Sequence, residues 1–136
     1  MLTSDAETAA AHILGTTADL DGVRVCTVVP ESLAAHVPLI HLARIGGTTA
    51  MPTWARGPLV DTTHMALSCW AGPDLADARH LARCAVAALI GARGRSLPGG
   101  STLSRAVDLS GPAYLADPYA PAGIWRYLAE VALTIH

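Results

Sequence analysis

The hydrophobic pattern is clearest between Leu59 and Gly94, where a strand pattern passes directly into a helix pattern. From Leu59 to Trp70 the side chains can be sorted by alternation into two faces, and one face becomes apolar toward its end. This predicts a β-strand, because successive side chains of a strand point to opposite faces. Gly72-Pro73 ends this strand. Asp74 and Asp77 then place negative charge where a helix N-terminus favours it, so we predict that a helix follows.

The segment after Pro73 has apolar residues three and four positions apart, which is the spacing of one helix face. These positions are Leu75, Ala78, Ala82, Ala85, Val86 and Leu89. Arg79 and Arg83 mark the opposite, solvated side. Gly91 and Gly94 supply the end. The pattern predicts a helix that lies across the sheet to which the preceding strand belongs.

The rest of the chain contains one more helix pattern and four more strand patterns. A capping box of Ser4 and Glu7 opens a short helix that ends at Gly15. The strand patterns run from Val23 to Val29, Leu39 to Ile45, Leu103 to Leu109 and Ile124 to His136. We expect Ser110-Gly111-Pro112 to break the third of these. The order α-β-β-β-α-β-β predicts an α+β fold with a mainly antiparallel sheet of about five strands and two helices packed on one face.

One connection between strand patterns is unusually long. It runs from Gly46 to Pro58, whereas the loop of a β-hairpin usually has two to five residues. It carries Met51, Trp54 and Arg56, so large apolar groups stand where exposure to solvent is expected. Such a loop is typical of a surface that binds a partner. The alternative is that Trp54 folds back on its own sheet.

Composition defines the class of protein. A chain of 136 residues is predicted to form one domain over residues 1–136, and it can bury a core without disulfides or metals. Apolar residues make up 51% of the chain and aromatic residues 4%, with no Phe, so we expect a core of Ala, Leu, Val and Ile. The net charge of -2 argues against wrapping nucleic acid on the outer surface.

The cysteines and the N-terminus favour a reducing compartment. Cys26, Cys69 and Cys84 are odd in number and far apart in sequence, which is unlike a secreted disulfide framework. Met1 to Glu7 carries acids where a signal peptide would be basic, and the longest apolar run, near Ala85 to Ile90, is too short to cross a bilayer. We therefore expect a soluble, intracellular protein without membrane association.

Two sets of residues could be drawn as a chemical site. His80 and Cys84 share a helix face, and His64 and Cys69 on the preceding strand would complete a zinc set. The spacing contains neither C-x-x-C nor H-E-x-x-H, and the sequence has no nucleophile elbow or P-loop. We expect no catalysis, metal or cofactor. The alternative is a small α+β enzyme or ligand-binding domain that uses His41, His64 and a cysteine around a pocket.

Several short segments resemble one protein family. They are Pro38-Leu39-Ile40-His41 continuing through Arg44-Ile45-Gly46-Gly47, then Pro58-Leu59-Val60-Asp61, Trp70-Ala71-Gly72-Pro73-Asp74, Ser110-Gly111-Pro112 and Arg126-Tyr127. The similarity covers most of the chain, from about Gly22 to His136. In these segments the chain resembles the tail terminator, or tail completion, proteins of long-tailed bacteriophages, of the kind found in phages and prophages of actinobacteria.

The resemblance implies a structural virion protein that forms a homo-oligomeric, six-fold ring at the head-proximal end of the tail tube. Such a ring ends polymerisation of the tube and provides the joint to the head, and DNA passes through its channel without sequence-specific binding. The implied partners are identical copies, the tail tube protein and the head-tail connector proteins. The implied location is the virion tail, with the host cytoplasm as the place of assembly.

Within this family we expect four residues to contact neighbouring subunits or the tube, because Arg and large apolar side chains anchor such interfaces. They are Arg44, Met51, Trp54 and Arg56. A head-tail joining protein or a minor tail component is the related alternative.

Overall fold

The computed structural model describes residues 6–50, 60–97 and 100–135. Within these ranges the chain forms one five-stranded sheet and two α-helices. The helices are α1 (Ala6–Gly15) and α2 (Leu75–Gly91), and the strands are β1 (Arg24–Cys26), β2 (Leu39–Ala50), β3 (Val60–Ala71), β4 (Leu103–Tyr114) and β5 (Trp125–Ile135). This order confirms the predicted α+β fold.

The strands are arranged in the order β1-β2-β3-β5-β4. β1 runs parallel to β2, and the other three neighbouring pairs are antiparallel. As predicted, the sheet is therefore mainly antiparallel. β2 and β5 run in one direction, whereas β3 and β4 run in the other.

Both helices pack on one face of the sheet, which we call the helix face. Its side chains alternate along each strand with those of the opposite face, as β5 shows: the odd-numbered residues from Tyr127 to Ile135 are buried and the even-numbered ones are half-buried. The largest core side chains on the central strands are Ile40, Leu42, Met65, Leu67, Val131, Leu133 and Ile135. Each such side chain contributes about 1.5–3 kcal/mol by leaving water.

α2 begins and ends where the sequence predicts. The backbone N–H of Asp74 donates to Asp77 Oδ2 at 3.0 Å, which satisfies a donor at the helix start. Leu75 was expected in the apolar stripe, but it is 39% exposed, and Leu81 is buried in the core instead. Helical side chains lean toward the N-terminus, so the side chain of the first helical residue projects beyond the packed part of the helix. No helix in the described ranges is long and apolar enough to span a bilayer.

Three strand boundaries differ from the prediction. β1 has only three residues rather than the seven from Val23 to Val29, and Val28 is 78% exposed. β2 does not end at Gly46-Gly47 but continues to Ala50, because a bulge between Arg44 and Gly46 absorbs the irregularity.

β4 is the third difference. The predicted break at Ser110-Gly111-Pro112 does not occur, and the strand continues to Tyr114 through register shifts in this segment. β4 lies at the edge of the sheet. An edge strand tolerates bulges and a proline, because a missing outward N–H removes no bond within the sheet.

Candidate functional site

The face opposite the helices, which we call the open face, carries side chains of a different kind. It includes Leu39, His41 and Ala43 of β2, Thr62, His64, Ala66, Ser68 and Trp70 of β3, Arg126, Leu128, Glu130, Ala132 and Thr134 of β5, and Arg105, Val107, Ser110 and Ala113 of β4. Its centre is formed by Ala43, Ala66 and Ala132, which are half-buried although no described helix covers them. Small side chains leave the sheet backbone close to the surface, so this face can approach another surface closely.

One end of the open face is closed by the segment that connects β4 to β5. Trp70 is 4% exposed, and its Nε1 donates to Asp117 Oδ2 at 3.0 Å. The Arg126 guanidinium carbon lies 5.0 Å from the centre of the Trp70 ring, and Arg126 Nη2 donates to Ser68 Oγ at 2.9 Å. This cluster fixes the Trp70 ring between β5 and the connecting segment.

His41 is also held on this face by the chain itself. Its Nε2 donates to the carbonyl oxygen of Thr27 at 3.1 Å, and its ring centre lies 6.4 Å from that of Trp70. His64 is exposed on β3 opposite Gly46 and Ala132. The two histidines share a face, but His41 is committed to a structural hydrogen bond.

Of the three cysteines, only Cys26 stands beside one of these histidines, as the partner of His41 in the pairing of β1 with β2. Cys69 lies on the helix face, where burial raises the pKa of its thiol to about 12, and strand alternation places it opposite to His64. Cys26 lies on β1, and burial raises its pKa as well, although the charge of Arg24 partly offsets this. The register therefore brings Cys26 beside His41, whereas His64 lies four residues away on β3 from Ser68, the partner of His41, so the three do not form one pocket. The four-residue zinc set is not assembled either.

The two members of the zinc set that lie on α2, His80 and Cys84, are in contact. Cys84 Sγ lies 3.5 Å from His80 Nε2 on α2. In the described ranges no group of three or more His, Cys, Asp and Glu residues could hold a metal ion.

Over most of their length, the two edges of the sheet pair with no strand in the described part of the chain. β1 pairs with β2 only from Leu39 to His41, and no strand in the described part of the chain pairs with the outer side of β2 at residues 42–50. At the other edge, backbone groups of Gly94 and Arg95 bond to Leu103 at the start of β4. The rest of β4 pairs with no described strand on its outer side. Unpaired edges of this length favour the addition of another strand.

The predicted interface residues fall in two groups. Arg44 is exposed on β2, beside the bulge. Met51, Trp54 and Arg56 lie outside the described residues. The cluster of Trp70, Arg126 and Asp117 was not predicted, because only the fold brings these three side chains together. The alternation of β3 was the available signal, since it already put Trp70 on the face opposite Cys69.

No family model and no curated protein matches this chain. A solved structure does: a chain in the virion of a native gene transfer agent (GTA) particle has a TM-score of 0.67 to this protein. The match covers 96% of this chain and 93% of that chain, at 16% sequence identity. The two chains share a fold over nearly their full lengths.

Proposed function

We propose that this protein is a structural subunit of a phage-like virion and, within it, the tail terminator. In this proposal six copies form a ring at the head-proximal end of the tail tube, end its polymerisation and provide the joint to the head. The shared fold with a chain of a gene transfer agent virion supports the virion role. The ring is supported by one observation, namely the complementary free edges of the sheet.

The free edges are complementary because they run in opposite directions. β2 and β4 stand near opposite sides of the sheet, and the alternation of strand directions makes them antiparallel. Rotation about an axis along the strands would bring β4 of one copy beside β2 of the next, again antiparallel. Such a head-to-tail contact continues the sheet, and its closure into a ring leaves no edge exposed.

The covered parts of the edges also fit a closed ring. β1 covers the first residues of β2, and Gly94 and Arg95 cover the first residue of β4, so the covered parts lie at opposite ends of the sheet. The uncovered stretches overlap in the middle and are displaced along the strands. A sheet that closes into a barrel needs a stagger of this kind.

In such a ring one wall carries the helices and the other is the open face. We propose that the open face lines the channel for DNA. It combines small residues with charges of both signs, namely Arg105, Arg126 and Glu130, so it offers no continuous basic track along the phosphates. The proposed role is structural rather than enzymatic, in the virion and in the host cytoplasm during assembly, with the tube and connector proteins as axial partners.

The proposed pairing of β4 with β2 of the next subunit can be tested at Asp108 of β4. The carbonyl of Arg126 accepts from Leu115 N–H, so even-numbered residues of β5 direct their backbone groups toward β4. Asp108 stands opposite the odd-numbered Val131, and its own N–H therefore points to the outer edge. Asp108→Pro would remove this donor without breaking a bond to β5, whereas Asp108→Ala would keep it.

The experiment measures the mass of each protein by light scattering and images it by electron microscopy, alone and with assembled tail tubes. We expect rings of six subunits on tube ends for the wild type and Asp108→Ala, and monomers of normal secondary structure for Asp108→Pro. Rings formed equally well by both variants, or a wild type that never caps a tube, would refute the proposal. A ring that binds the connector but leaves tube length unchanged would assign the joining protein instead.

We propose the same kind of contact for the four predicted interface residues, Arg44, Met51, Trp54 and Arg56. In the same assay, Trp54→Ala should weaken the ring by about 2 kcal/mol or more per contact if Trp54 is an anchor residue. A ring of unchanged stability in this variant would show that Trp54 is not part of the interface. It would not bear on the pairing of β2 with β4, which the Asp108 variants test.

A further inference from the structure

A cleft with a volume of about 290 Å³ opens on the helix side of the molecule, at the end of the sheet where β3 leads into α2. The residues between α1 and β1, the segment before β2 and the first half of α2 form its walls. Its ionisable groups are Asp19, which lies between α1 and β1, and Asp77, His80 and Cys84 on α2. The other lining residues are mostly apolar. The cleft therefore combines room for a small molecule with a thiol and an imidazole.

The thiol and the imidazole are in contact. Cys84 Sγ lies 3.5 Å from His80 Nε2, because residues four apart on a helix share a face. His80 is exposed and Cys84 is half-buried, so both can be reached from solvent. An imidazole next to a thiol can accept its proton, and the resulting thiolate is the nucleophilic form of cysteine.

The other two cysteines are less suited to reaction. Cys69 is 0% exposed, and burial raises its pKa to about 12. Burial also raises the pKa of Cys26. Cys26 stands beside His41 in the pairing of β1 with β2, but among the described residues the hydrogen-bonding contact between a thiol and an imidazole is that of Cys84 with His80. Cys84 therefore differs from Cys69 in accessibility and from Cys26 in its contact with a base.

We propose that Cys84 is a modification site that forms a mixed disulfide with a small, positively charged aminothiol held in this cleft. His80 takes the proton of the thiol, and the sulfur attacks one sulfur of the aminothiol disulfide. The S–S bond of the reagent breaks, one half remains bonded to Cys84, and the other half leaves as a thiolate that takes up the proton. The disulfide is the oxidant, and it is reduced as Cys84 is oxidised.

The charge of the cleft supports the choice of an aminothiol. Asp19 and Asp77 are the carboxylates among its lining residues, and no lining residue is Arg or Lys. An ammonium group on the reagent is therefore attracted to the place where the reaction occurs, and salt would weaken this attraction. The proposal concerns the helix side alone and does not depend on the ring.

The test compares the rates of mixed disulfide formation with cystamine and with neutral hydroxyethyl disulfide, and mass spectrometry of peptides locates the product. We expect Cys84 to react first, Cys84→Ser to abolish this phase, and Cys26→Ser to leave it unchanged. His80→Gln should slow it about tenfold or more, because the base is lost. Arg79→Gln is the matched control, since Arg79 is exposed on the same helix but does not line the cleft.

Two further results bear on the proposal. Cystamine should react several-fold faster than the neutral disulfide at low salt, and equal rates would overturn the assignment to an aminothiol. Labelling of Cys26 before Cys84, or an unchanged rate in His80→Gln, would overturn the site itself. Circular dichroism of each variant ensures that a lost reaction is not a lost fold.

Discussion

The helix face and the open face are built from the same strands but differ in what covers them. On β5, Leu133 is 0% exposed beneath the helices, whereas Leu128 on the open face is only half-buried. On β3, Cys69 faces the core while Ser68 accepts a hydrogen bond from Arg126. One sheet therefore carries a dry aliphatic interior on one side and a surface of small and polar residues on the other.

The difference indicates how the two faces divide their roles. The fold draws its stability from the helix face, since the main core cluster contains the helices and the inward side chains of the strands. The open face contributes less to the stability of one subunit and remains available for contacts. Substitutions on the two faces can test this division.

A matched pair of leucines on β5 tests it most directly. Leu133→Ala should lower the free energy of unfolding by about 2–5 kcal/mol, because it leaves a cavity in a packed core. Leu128→Ala should cost less than about 1.5 kcal/mol, because its side chain already contacts solvent. Urea unfolding followed by circular dichroism measures both values. Equal losses would mean that the open face is part of the core.

The second test concerns the place where the connecting segment closes over the end of the sheet. A Cβ added to Gly72 would overlap the carbonyl oxygen of Gly123, a residue held at a φ of +81°. The oxygen that the new side chain meets belongs to the backbone and cannot swing aside like a flexible side chain, so Gly72→Ala should lower stability by about 1–3 kcal/mol.

The control for this variant is Gly91→Ala at the end of α2, where no heavy atom lies within 4 Å of the added Cβ. It should be neutral or stabilise the protein by up to about 1 kcal/mol. A neutral Gly72→Ala would show that the connecting segment can move away without loss, and the same unfolding measurement decides this.

The third test uses the dryness of the helix face. Burial raises the pKa of Cys69 from 9.0 to about 12, so between these values the folded state keeps a proton that the unfolded state has lost. The stabilising effect of this proton is complete below pH 9 and declines as the pH rises toward 12. At pH 10 the loss should be on the order of 1 kcal/mol.

This loss is measured as the difference in pH dependence between the wild type and Cys69→Ala, because other groups titrate equally in both. The wild type should lose more stability than the variant from pH 8 to pH 10. Parallel curves would mean that water reaches the thiol, and hence that the helix face is not closed at Cys69.

The regular elements could be predicted because their own residues decide them. The alternation from Trp125 to Ile135 predicted β5 and its buried face, and the acids at Asp74 and Asp77 with the glycine at Gly91 predicted both ends of α2. Local preference and the final environment agree in these elements, so neighbours in sequence were sufficient evidence.

The edges and the open face could not be predicted in the same way. Pro112 is expected to end a strand, yet β4 continues past it because it is the outermost strand and needs no outward N–H there. Arg44 could be placed on a strand, but only the fold shows that β1 pairs with β2 over no more than Leu39 to His41. Such outcomes depend on which strands become neighbours.

The order of the helices and strands, and the side of β5 that enters the core, could be predicted from the sequence because both follow from periodicity within a few residues. The tertiary structure was needed to show that β2 and β4 are antiparallel, that Trp70 meets Asp117 and Arg126, and that His80 and Cys84 border a cleft. These features join residues far apart in the chain, and their positions follow from the packing of the whole sheet against its helices.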